Sequence, residues 1–522
     1  MSRTLVVWGC TSGAGKSWIA TALCRAAARR GIDVAPYKAQ NMSNNARVVP
    51  TVDGGFGEIG SAQYLQALAA GTAPVPDMNP VLLKPETDTR CQVVVDGRVV
   101  PALGAVEWRA RSALLAPAAR AAFERLASRH ELVVVEGAGS PAEINLQAGD
   151  FVNLEVARWA MARGPVHALL VADIDRGGAF AHLYGSVQLL PADLRPLVAG
   201  FVLNRFRGDA ALLAPGPARL QALTGVPTLA VVPMVDDHGL AQEDAWSGEQ
   251  RRDGARFDPG VHADRDAGEV VIVATPRISN LDEFEALSRL PAVRLRWARH
   301  PQDLVGAGLV ILPGSKQVSG DLAWLRARGL DRAILRHARA GLPLLGICAG
   351  AQMLGHRLDD PAGVDGVAGC VDGLGVLPVD TRYEPDKRLR PARFAFDAPD
   401  GAWAGLASIA FTGYEIRHGR TSPRAPGTDG ADRTGTARTV LASADGAAGW
   451  QHGNVLGITA HGLFESDAVL RALFGDAPPG PQASFERLAD AIDASFDPAV
   501  LDRLLGAPRP CKAGGAAART LS

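Results

Sequence analysis

The sequence predicts an α/β protein made of two doubly wound domains. Three observations lead to this fold class. The chain of 522 residues is longer than one hydrophobic core usually serves. Short apolar runs alternate with longer alanine-rich helical patterns, as in repeated βαβ units. A polar, glycine-rich stretch without periodicity separates two such patterns. We expect domains at residues 1–244 and 269–500, a linker at 245–268 and a disordered tail at 507–522.

The predicted strands are continuous apolar runs, as buried parallel strands require. In the first domain they are Thr4–Cys10, Leu132–Glu136, His167–Ala172, Gly200–Asn204 and Thr228–Pro233. In the second domain they are the run that begins at Val270, then Leu309–Leu312, Leu342–Ile347 and Val455–Thr459. The polar residues that follow these strands are therefore the candidates for functional sites.

Composition excludes several classes of protein. Lys and Arg number 54 against 55 Asp and Glu, so the chain has no net field that would recruit nucleic acid or an anionic membrane. No run of about 18 apolar residues is present, and the N-terminus lacks the pattern of a signal peptide, so we expect a cytoplasmic protein. The six cysteines show no C-x-x-C pair and no regular spacing, so the sequence suggests neither a zinc knot nor a disulfide framework.

A phosphate-binding loop follows the first predicted strand. The segment GCTSGAGKS at residues 9–17 lies between that strand and a helical pattern at residues 18–30. Glycines let backbone N–H groups face phosphate oxygens, the lysine neutralises phosphate charge, and the serine hydroxyl can bind Mg²⁺. We therefore predict nucleotide binding by Gly9, Thr11, Ser12, Gly13, Ala14, Gly15, Lys16 and Ser17.

Two carboxylates are candidates for the remaining Mg²⁺ ligands. Glu136 ends the strand Leu132–Glu136, where phosphoryl-transfer sites often hold their metal. Glu58, in the segment Gly57-Glu58-Ile59, is the second candidate. An ordinary solvated or capping carboxylate is the alternative for both.

The loop spacing resembles that of dethiobiotin synthetase and its relatives, because it is one residue longer than the common G-x4-G-K-[ST] loop. The resemblance implies that ATP converts a carboxylate of the substrate into an acyl phosphate, which an amine or ammonia then attacks. It also suggests that Asn204, at the end of the strand Gly200–Asn204, reads the adenine edge. A role in the turn after the strand is the alternative for Asn204.

A cysteine elbow follows the strand Leu342–Ile347. The segment Gly346-Ile347-Cys348-Ala349-Gly350 has the G-x-nucleophile-x-G pattern of a tight turn from strand to helix. Such a turn exposes the sulfur near a helix N-terminus, which favours the thiolate. His461, after the strand Val455–Thr459, is the predicted proton-transfer partner of Cys348. A buried core cysteine is the alternative.

The order of these segments resembles class I glutamine amidotransferases, which release ammonia from glutamine through a cysteine thioester. Backbone N–H groups at Gly314 and Ala349 are the expected oxyanion donors. The usual His-x-Glu ending of that family would place a glutamate at position 463, where this chain has Leu463. Either Glu465 replaces it, or the site works as a Cys–His dyad.

Six further segments resemble the cobyric acid synthase family of corrin-ring amidases, and the likeness extends along nearly the full length. They lie at residues 38–45 (KAQNMSNN), 57–63 (GEIGSAQ), 77–85 (DMNPVLLKP), 136–146 (EGAGSPAEINL), 172–178 (ADIDRGG) and 413–416 (GYEI). The resemblance implies amidation of the b, d, e and g carboxylates of adenosylcobyrinic acid a,c-diamide, with ATP, Mg²⁺ and glutamine. It also implies substrate contacts at Asp150, in the segment GDFVN, and at Gln352 in the elbow. A homo-oligomer is left open.

Two other interpretations stay open at this stage. The first is a related carboxylate amidase of the cobyrinic acid a,c-diamide synthase type, against which the six segments argue. The second is a P-loop regulatory ATPase whose amidotransferase-like domain only binds a ligand. The presence of both Cys348 and His461 argues against this second interpretation.

Overall fold

The computed structural model describes residues 2–86, 91–104, 106–235, 239–240, 268–424 and 436–506. The predicted tail at 507–522 lies outside these residues, as does the predicted linker at 245–268 except for its last residue, Gly268. Among the described residues, every helix is too short or too polar to cross a membrane.

The first part of the chain contains twelve strands and six α-helices among its described residues. The strands are β1 Arg3–Gly9, β2 Val34–Tyr37, β3 Gln40–Met42, β4 Ala46–Pro50, β5 Phe56–Gly60, β6 Val81–Pro85, β7 Cys91–Val95, β8 Arg98–Val99, β9 Leu132–Glu136, β10 Val166–Asp173, β11 Val198–Phe206 and β12 Thr228–Pro233. The helices are α1 Lys16–Arg29, α2 Ser61–Ala70, α3 Trp108–Arg129, α4 Val156–Met161, α5 Ala179–Leu189 and α6 Gly216–Thr224.

The second part of the described chain continues with thirteen strands and seven α-helices. The strands are β13 Gly268–Val273, β14 Ile278–Ser279, β15 Val293–Ala298, β16 Leu309–Leu312, β17 Gly314–Ser315, β18 Leu344–Ile347, β19 Arg357–Asp360, β20 Gly369–Asp372, β21 Val379–Phe396, β22 Ala410–Pro423, β23 Arg438–Ser443, β24 Gly446–His452 and β25 Val455–Ile458. The helices are α7 Glu285–Ser288, α8 Val318–Ala327, α9 Leu330–Arg339, α10 Ala349–Leu354, α11 Asp467–Phe474, α12 Pro481–Ser495 and α13 Pro498–Leu505.

A six-stranded parallel sheet forms the centre of the first domain, with the order β12-β11-β10-β1-β9-β2. Its strands are nearly continuous apolar runs because both faces are covered, and hydrophobic clusters lie on each face. The phosphate-binding loop, Glu136 and Asn204 all lie at the carboxyl ends of its strands. The doubly wound α/β fold predicted for this domain is confirmed.

A larger mixed sheet forms the centre of the second domain. Its parallel half has the order β15-β13-β16-β18-β25, and β24, β23 and β21 extend it with antiparallel pairs. Strands β18 and β25 are neighbours, so the residues that follow them meet at one edge. This arrangement brings Cys348 and His461 together, and the α/β fold predicted for this domain is confirmed.

The C-terminal helices α12 and α13 pack against the first domain. Leu488 and Ile492 of α12 share a hydrophobic cluster with Ile19 and Leu23 of α1. Ion pairs join the same elements, among them Arg29 to Asp490 at 2.6 Å. These contacts with the first domain could not be predicted from the sequence, because helical periodicity shows that a helix has a buried face but not which sheet covers it.

Candidate functional site

The phosphate-binding loop joins β1 to α1 and has backbone angles that its glycines make possible. Gly13 and Gly15 have φ values of 70° and 98°, in the left-handed region. A Cβ atom on Gly15 would lie 2.0 Å from Nδ2 of Asn204, so a larger residue would also collide with a strand end. Only glycine fits this position, which agrees with the predicted loop.

Lys16 is buried within this loop. Its Nζ atom donates to the backbone oxygens of Thr11 and Gly139, each at 3.0 Å. Gly139 belongs to the segment that follows β9, so the lysine ties the loop to the neighbouring strand end. An ammonium group at this point is placed to neutralise phosphate charge.

The structure brings Glu136 and Ser17 into direct contact at the start of α1. The Ser17 hydroxyl donates to Oε1 of Glu136 at 2.7 Å, Lys38 donates to the same oxygen at 2.8 Å, and Gln66 donates to Oε2 at 2.6 Å. Burial would raise the pKa of Glu136, but the Lys38 charge and these hydrogen bonds outweigh it and lower the pKa. The carboxylate is therefore ionised beside the phosphate loop.

These oxygens fit a magnesium ion of the kind found with nucleotides. Mg²⁺ prefers oxygen ligands and commonly uses one or two protein groups together with phosphates and water. Among the described residues no cluster of three or more His, Cys, Asp or Glu side chains could hold a metal ion. The hydroxyl of Ser17 and the carboxylate of Glu136, 2.7 Å apart, are protein groups of the type that suits this ion.

Glu58 lies elsewhere, and its candidacy as a metal ligand is corrected. Its side chain is fully buried, and its two carboxylate oxygens pair with Lys84 and Lys387. Burial would raise its pKa, but these two ammonium groups outweigh burial and lower the pKa strongly. Glu58 does not line the cavity at the phosphate loop. The carboxylate is an ion-pair partner at the contact between the domains.

Asn204 and Asp150 have structural contacts that sequence patterns do not reveal. Asn204 Nδ2 donates to the backbone oxygen of Ala14 at 3.0 Å and so holds the phosphate-binding loop. Asp150 caps the segment Phe151–Glu155, where its Oδ1 accepts from the backbone N–H groups of Val152 and Asn153. Neither contact tests the predicted adenine or substrate roles.

Asp150 acts on the loop after β9 through Asn153. The Asn153 side chain donates to Asp150 Oδ2 at 3.1 Å and to the backbone oxygen of Ala138 at 2.8 Å. The Ala138 N–H in turn donates to Oδ1 of Asn153 at 3.1 Å. This chain of hydrogen bonds fixes the segment that carries Gly139, which contacts Lys16.

A cavity of about 330 Å³ opens beside the phosphate loop. Its walls include Lys16 and Glu136 from the first domain and Asp282 from the second. Asn45, another lining residue, accepts a hydrogen bond at Oδ1 from the Leu281 N–H at 2.8 Å. Both domains therefore build this cavity.

The cysteine elbow has the geometry that its sequence predicts. Cys348 has φ 51° and ψ −106°, a conformation that an ordinary residue rarely adopts, between β18 and α10. A Cβ atom on Gly350 would lie 1.9 Å from the Leu312 oxygen, and one on Gly346 would lie 2.6 Å from the Ala351 nitrogen. Both glycines are thus required for the turn to pack against the sheet.

His461 is buried beside Cys348 and contacts three side chains. Its Nδ1 atom lies 3.2 Å from Oε1 of Glu283, and the Cys348 thiol is its other hydrogen-bond partner. The Tyr414 ring stacks on the imidazole with a centroid separation of 5.4 Å. Burial would lower the pKa of His461, but the charges of Glu283 and Cys348 raise it to about 10.

Glu283 is the carboxylate that the sequence analysis missed, and it corrects the expectation for Glu465. Glu283 is fully buried, and its Oε2 also accepts from the Gly462 N–H at 3.2 Å. Glu465 instead forms an ion pair with Arg47 of the first domain. The site is thus a Cys348–His461–Glu283 arrangement whose third member precedes the elbow in the chain. The acidic run around Glu283 resembles an ordinary surface segment, so nothing in the sequence marked it.

The remaining predicted residues lie around the same elbow. Gly314 lies beside His461, since a Cβ atom there would be 3.1 Å from Cε1 of the ring. Ala349 is the first residue of α10 and lines the pocket at Cys348. Gln352 also lines that pocket, and its Oε1 accepts from the Tyr383 hydroxyl at 2.9 Å. These positions suit the predicted oxyanion and substrate roles without testing them.

Two family models match separate parts of the chain. The family model described as the CobQ/CobB/MinD/ParA nucleotide binding domain matches residues 5–244. The model described as the CobB/CobQ-like glutamine amidotransferase domain matches residues 269–469. The cobyric acid synthase of Methylibium petroleiphilum is 55% identical over 98% of this chain and 98% of its own length. That of Leptothrix cholodnii is 56% identical over the same shares of both chains.

Proposed function

The chain belongs to the cobyric acid synthase family, and we propose that it amidates the b, d, e and g carboxylates of adenosylcobyrinic acid a,c-diamide. It is a glutamine-dependent amidating ligase of cobalamin biosynthesis with a nucleotide-binding domain and an amidotransferase domain. Each amide formed would consume one ATP and one glutamine. The observation that carries the proposal is the presence in one chain of the phosphate loop with Glu136 and the Cys348–His461–Glu283 arrangement.

The amidotransferase site would generate ammonia. The Cys348 thiolate attacks the side-chain amide carbon of glutamine, His461 gives a proton to the departing nitrogen, and ammonia leaves a thioester behind. Water then attacks the thioester carbon, one of its protons passes to His461 and the other to solvent, and the thiolate and glutamate are released. The raised pKa of His461 keeps the imidazole protonated beside the sulfur, so the proton is in place for the leaving group. Glu283 holds the ring in this orientation.

The first domain would activate the substrate carboxylate. The carboxylate oxygen attacks the γ-phosphorus of ATP, ADP leaves, and an acyl phosphate forms. Ammonia then attacks the acyl carbon, and inorganic phosphate and a proton are released. Lys16 and the loop N–H groups would hold the phosphates in line, and Ser17 and Glu136 would hold Mg²⁺, which offsets the phosphate charge.

The high identity to cobyric acid synthases favours this substrate over that of the a,c-diamide synthase type. Glu283 also weakens the alternative of a regulatory ATPase with an inactive second domain. A histidine oriented by a fully buried carboxylate and next to a cysteine has the groups that amide hydrolysis needs.

Amide formation with two nitrogen sources tests the proposal. The purified enzyme receives ATP, Mg²⁺, the corrin diamide, and either glutamine or ammonium at raised pH, and mass spectrometry resolves the products. Cys348→Ser should abolish glutamine-dependent amidation while ammonium still supports it, because the hydroxyl ionises far less than the thiol. Lys16→Ala should abolish amidation with both sources. Full glutamine-dependent turnover by Cys348→Ser would contradict the proposal.

A further inference from the structure

Three lysines converge where the two domains meet, next to Cys348. Lys84 comes from β6 of the first domain, Lys316 follows β17 of the second, and Lys387 lies in β21. All three line the pocket that contains Cys348. Their side chains are between 3% and 12% exposed, so their charges are largely removed from water. Buried ammonium groups require compensating negative charge.

The carboxylates around the lysines offset only part of their charge. Lys84 and Lys387 share Glu58, whose two oxygens they occupy. Lys316 donates to the amide oxygen of Gln92 at 2.9 Å, and its carboxylate partner, Glu86, is 4.0 Å away and one-third exposed. Lys316 therefore has the least compensated charge of the three.

Asp365, a further carboxylate of this pocket, is already engaged elsewhere. Its two oxygens accept from the backbone N–H groups of Val318 and Ser319 at 2.8 and 2.7 Å. It caps the start of α8. The ammonium form of Lys316 thus lacks a full counter-charge, and burial together with the charges of Lys387 and Lys84 lowers its pKa to about 7. An anionic group bound here would stabilise that ammonium form.

His418 shows the same excess of positive charge. It lines the pocket, and its pKa is lowered to about 4, first by burial and then by the charges of Lys387 and Lys316. Its Nδ1 lies 3.1 Å from the Glu384 backbone oxygen and must donate to it. The Nε2 atom of the neutral ring is then an acceptor, and it is buried without a hydrogen-bond partner among the described residues.

We propose that Lys316 binds the α-carboxylate of glutamine while the side-chain amide of the same molecule lies at Cys348. In glutamine the Cα, Cβ and Cγ atoms separate these two groups, so both can lie in one small pocket. The inference rests on the proposed glutaminase activity and extends it to the recognition of the amino acid. Since Lys84 comes from the first domain, the synthetase domain completes the positive wall of the glutamine site.

A double-substitution cycle between enzyme and substrate tests this assignment. Lys316→Met removes the charge but keeps the length of the side chain, and Lys316→Arg is the matched control that keeps the charge. Both variants and the native enzyme are assayed for ammonia release from glutamine and from glutaminamide, in which an amide replaces the α-carboxylate. All assays contain ATP, Mg²⁺ and the corrin diamide.

Lys316→Met should raise KM for glutamine by roughly tenfold or more and leave kcat nearly unchanged, because a charge-assisted contact is lost in binding. The same substitution should leave KM for glutaminamide unchanged, and Lys316→Arg should restore most of the affinity for glutamine. An equal loss on both substrates, or an unchanged KM for glutamine, would overturn the proposal.

Two further measurements cover the cases in which the Lys316→Met variant does not fold or loses activity for another reason. If Lys316→Met does not fold, the native enzyme alone must still bind glutaminamide at least about tenfold more weakly than glutamine, or the proposal fails. Ammonium-dependent amidation by Lys316→Met shows that the first domain is intact. A failure of the proposed function would appear separately, as glutamine hydrolysis that persists in Cys348→Ser.

Discussion

Asp282 and Glu283 are neighbours in the chain, yet their carboxylates serve different sites. Asp282 lines the cavity at the phosphate loop, where Nε of Arg47 donates to it at 3.0 Å. Glu283 lies 3.2 Å from Nδ1 of His461 beside Cys348. The backbone turns at Asn280, whose φ is 54°. A single short segment therefore forms part of the synthetase wall and also orients the glutaminase histidine.

Glu283→Gln should lower glutamine hydrolysis by roughly 100-fold, because the protonated imidazole loses the charge that most raises its pKa. The pKa of His461 should then fall from about 10. The basic limb of the pH profile should move to lower pH, since the ring loses its proton earlier. Steady-state ammonia release across pH 6 to about 10 measures both effects.

Glu465→Gln is the matched control for that substitution. Glu465 pairs with Arg47, not with His461, so most of the glutaminase activity and the position of the basic limb should remain. Ammonium-dependent amidation should persist in Glu283→Gln. If Glu465→Gln were the more damaging change, the third member of the site would have to be Glu465.

The phosphate loop and the elbow could be predicted from sequence because each needs glycine at fixed places for a steric reason. A side chain at Gly15 would collide with Asn204, and one at Gly350 would collide with the backbone oxygen of Leu312. The strands were predictable for a similar reason, because parallel strands buried on both faces are continuous apolar runs. Both patterns depend on residues that are close together in the chain, so they can be recognised in a single sequence.

Glu283 and the ion pairs of Glu58 could not be predicted because they depend on which distant segments meet. His461 and Glu283 are separated by 178 residues, and Lys387 and Glu58 by 329. A carboxylate in a polar run looks the same in sequence whether it faces water or a buried lysine. The packing of α12 against the first domain could not be predicted for the same reason, because its apolar face does not indicate which sheet covers it.

Glu136→Gln should raise the Mg²⁺ concentration needed for amidation or abolish amidation with both nitrogen sources. The amide keeps the shape of the side chain but loses the charge, and it leaves Lys38 without its carboxylate partner. Glutamine hydrolysis should continue, because Cys348 lies in the other domain. A magnesium titration of ADP formation measures the effect.

The control for this titration is Glu131→Gln, at the residue immediately before β9, the strand that Glu136 ends. It should leave the magnesium curve unchanged. A titration of Glu136→Gln that overlays the native curve would show that the carboxylate serves packing alone.

Glu58→Gln should destabilise the protein by about 3–5 kcal/mol at neutral pH, because two buried ammonium groups lose their shared carboxylate. The folded pKa of Glu58 is depressed, so its contribution to stability is present above its unfolded pKa and is lost as pH falls through the folded value. The difference between native and variant should therefore shrink as the solution is acidified below about pH 4.5.

Urea unfolding at several pH values measures this difference. Asp53→Asn, in the turn of the same hairpin, removes a carboxylate from an exposed ion pair with Arg98 and should change stability little. Equal and small effects of the two substitutions would mean that water screens the pairs of Glu58.

Arg47 joins the two domains at the wall of the cavity, and its replacement should weaken the contact between the domains. Its buried side chain pairs with Asp282 and Glu465 and lies over the Tyr414 ring at 5.1 Å. Tyr414 in turn stacks on His461. One cation of the first domain thus contacts three side chains of the second, two of which adjoin Glu283 or His461 directly.

Arg47→Met should lower glutamine-dependent amidation more than ammonium-dependent amidation, because the charges of Asp282 and Glu465 are left uncompensated beside the segment that holds Glu283. Arg47→Lys should restore only part of the activity, since lysine keeps the charge but lacks the planar fork that reaches two carboxylates and stacks on tyrosine. Arg120→Met, which breaks an exposed pair with Glu124 on α3, is the control and should leave both rates unchanged. The decisive quantity is the ratio of the two rates at saturating ammonium. A purely structural arginine would lower both rates by the same factor, and the ratio would then equal that of the native enzyme.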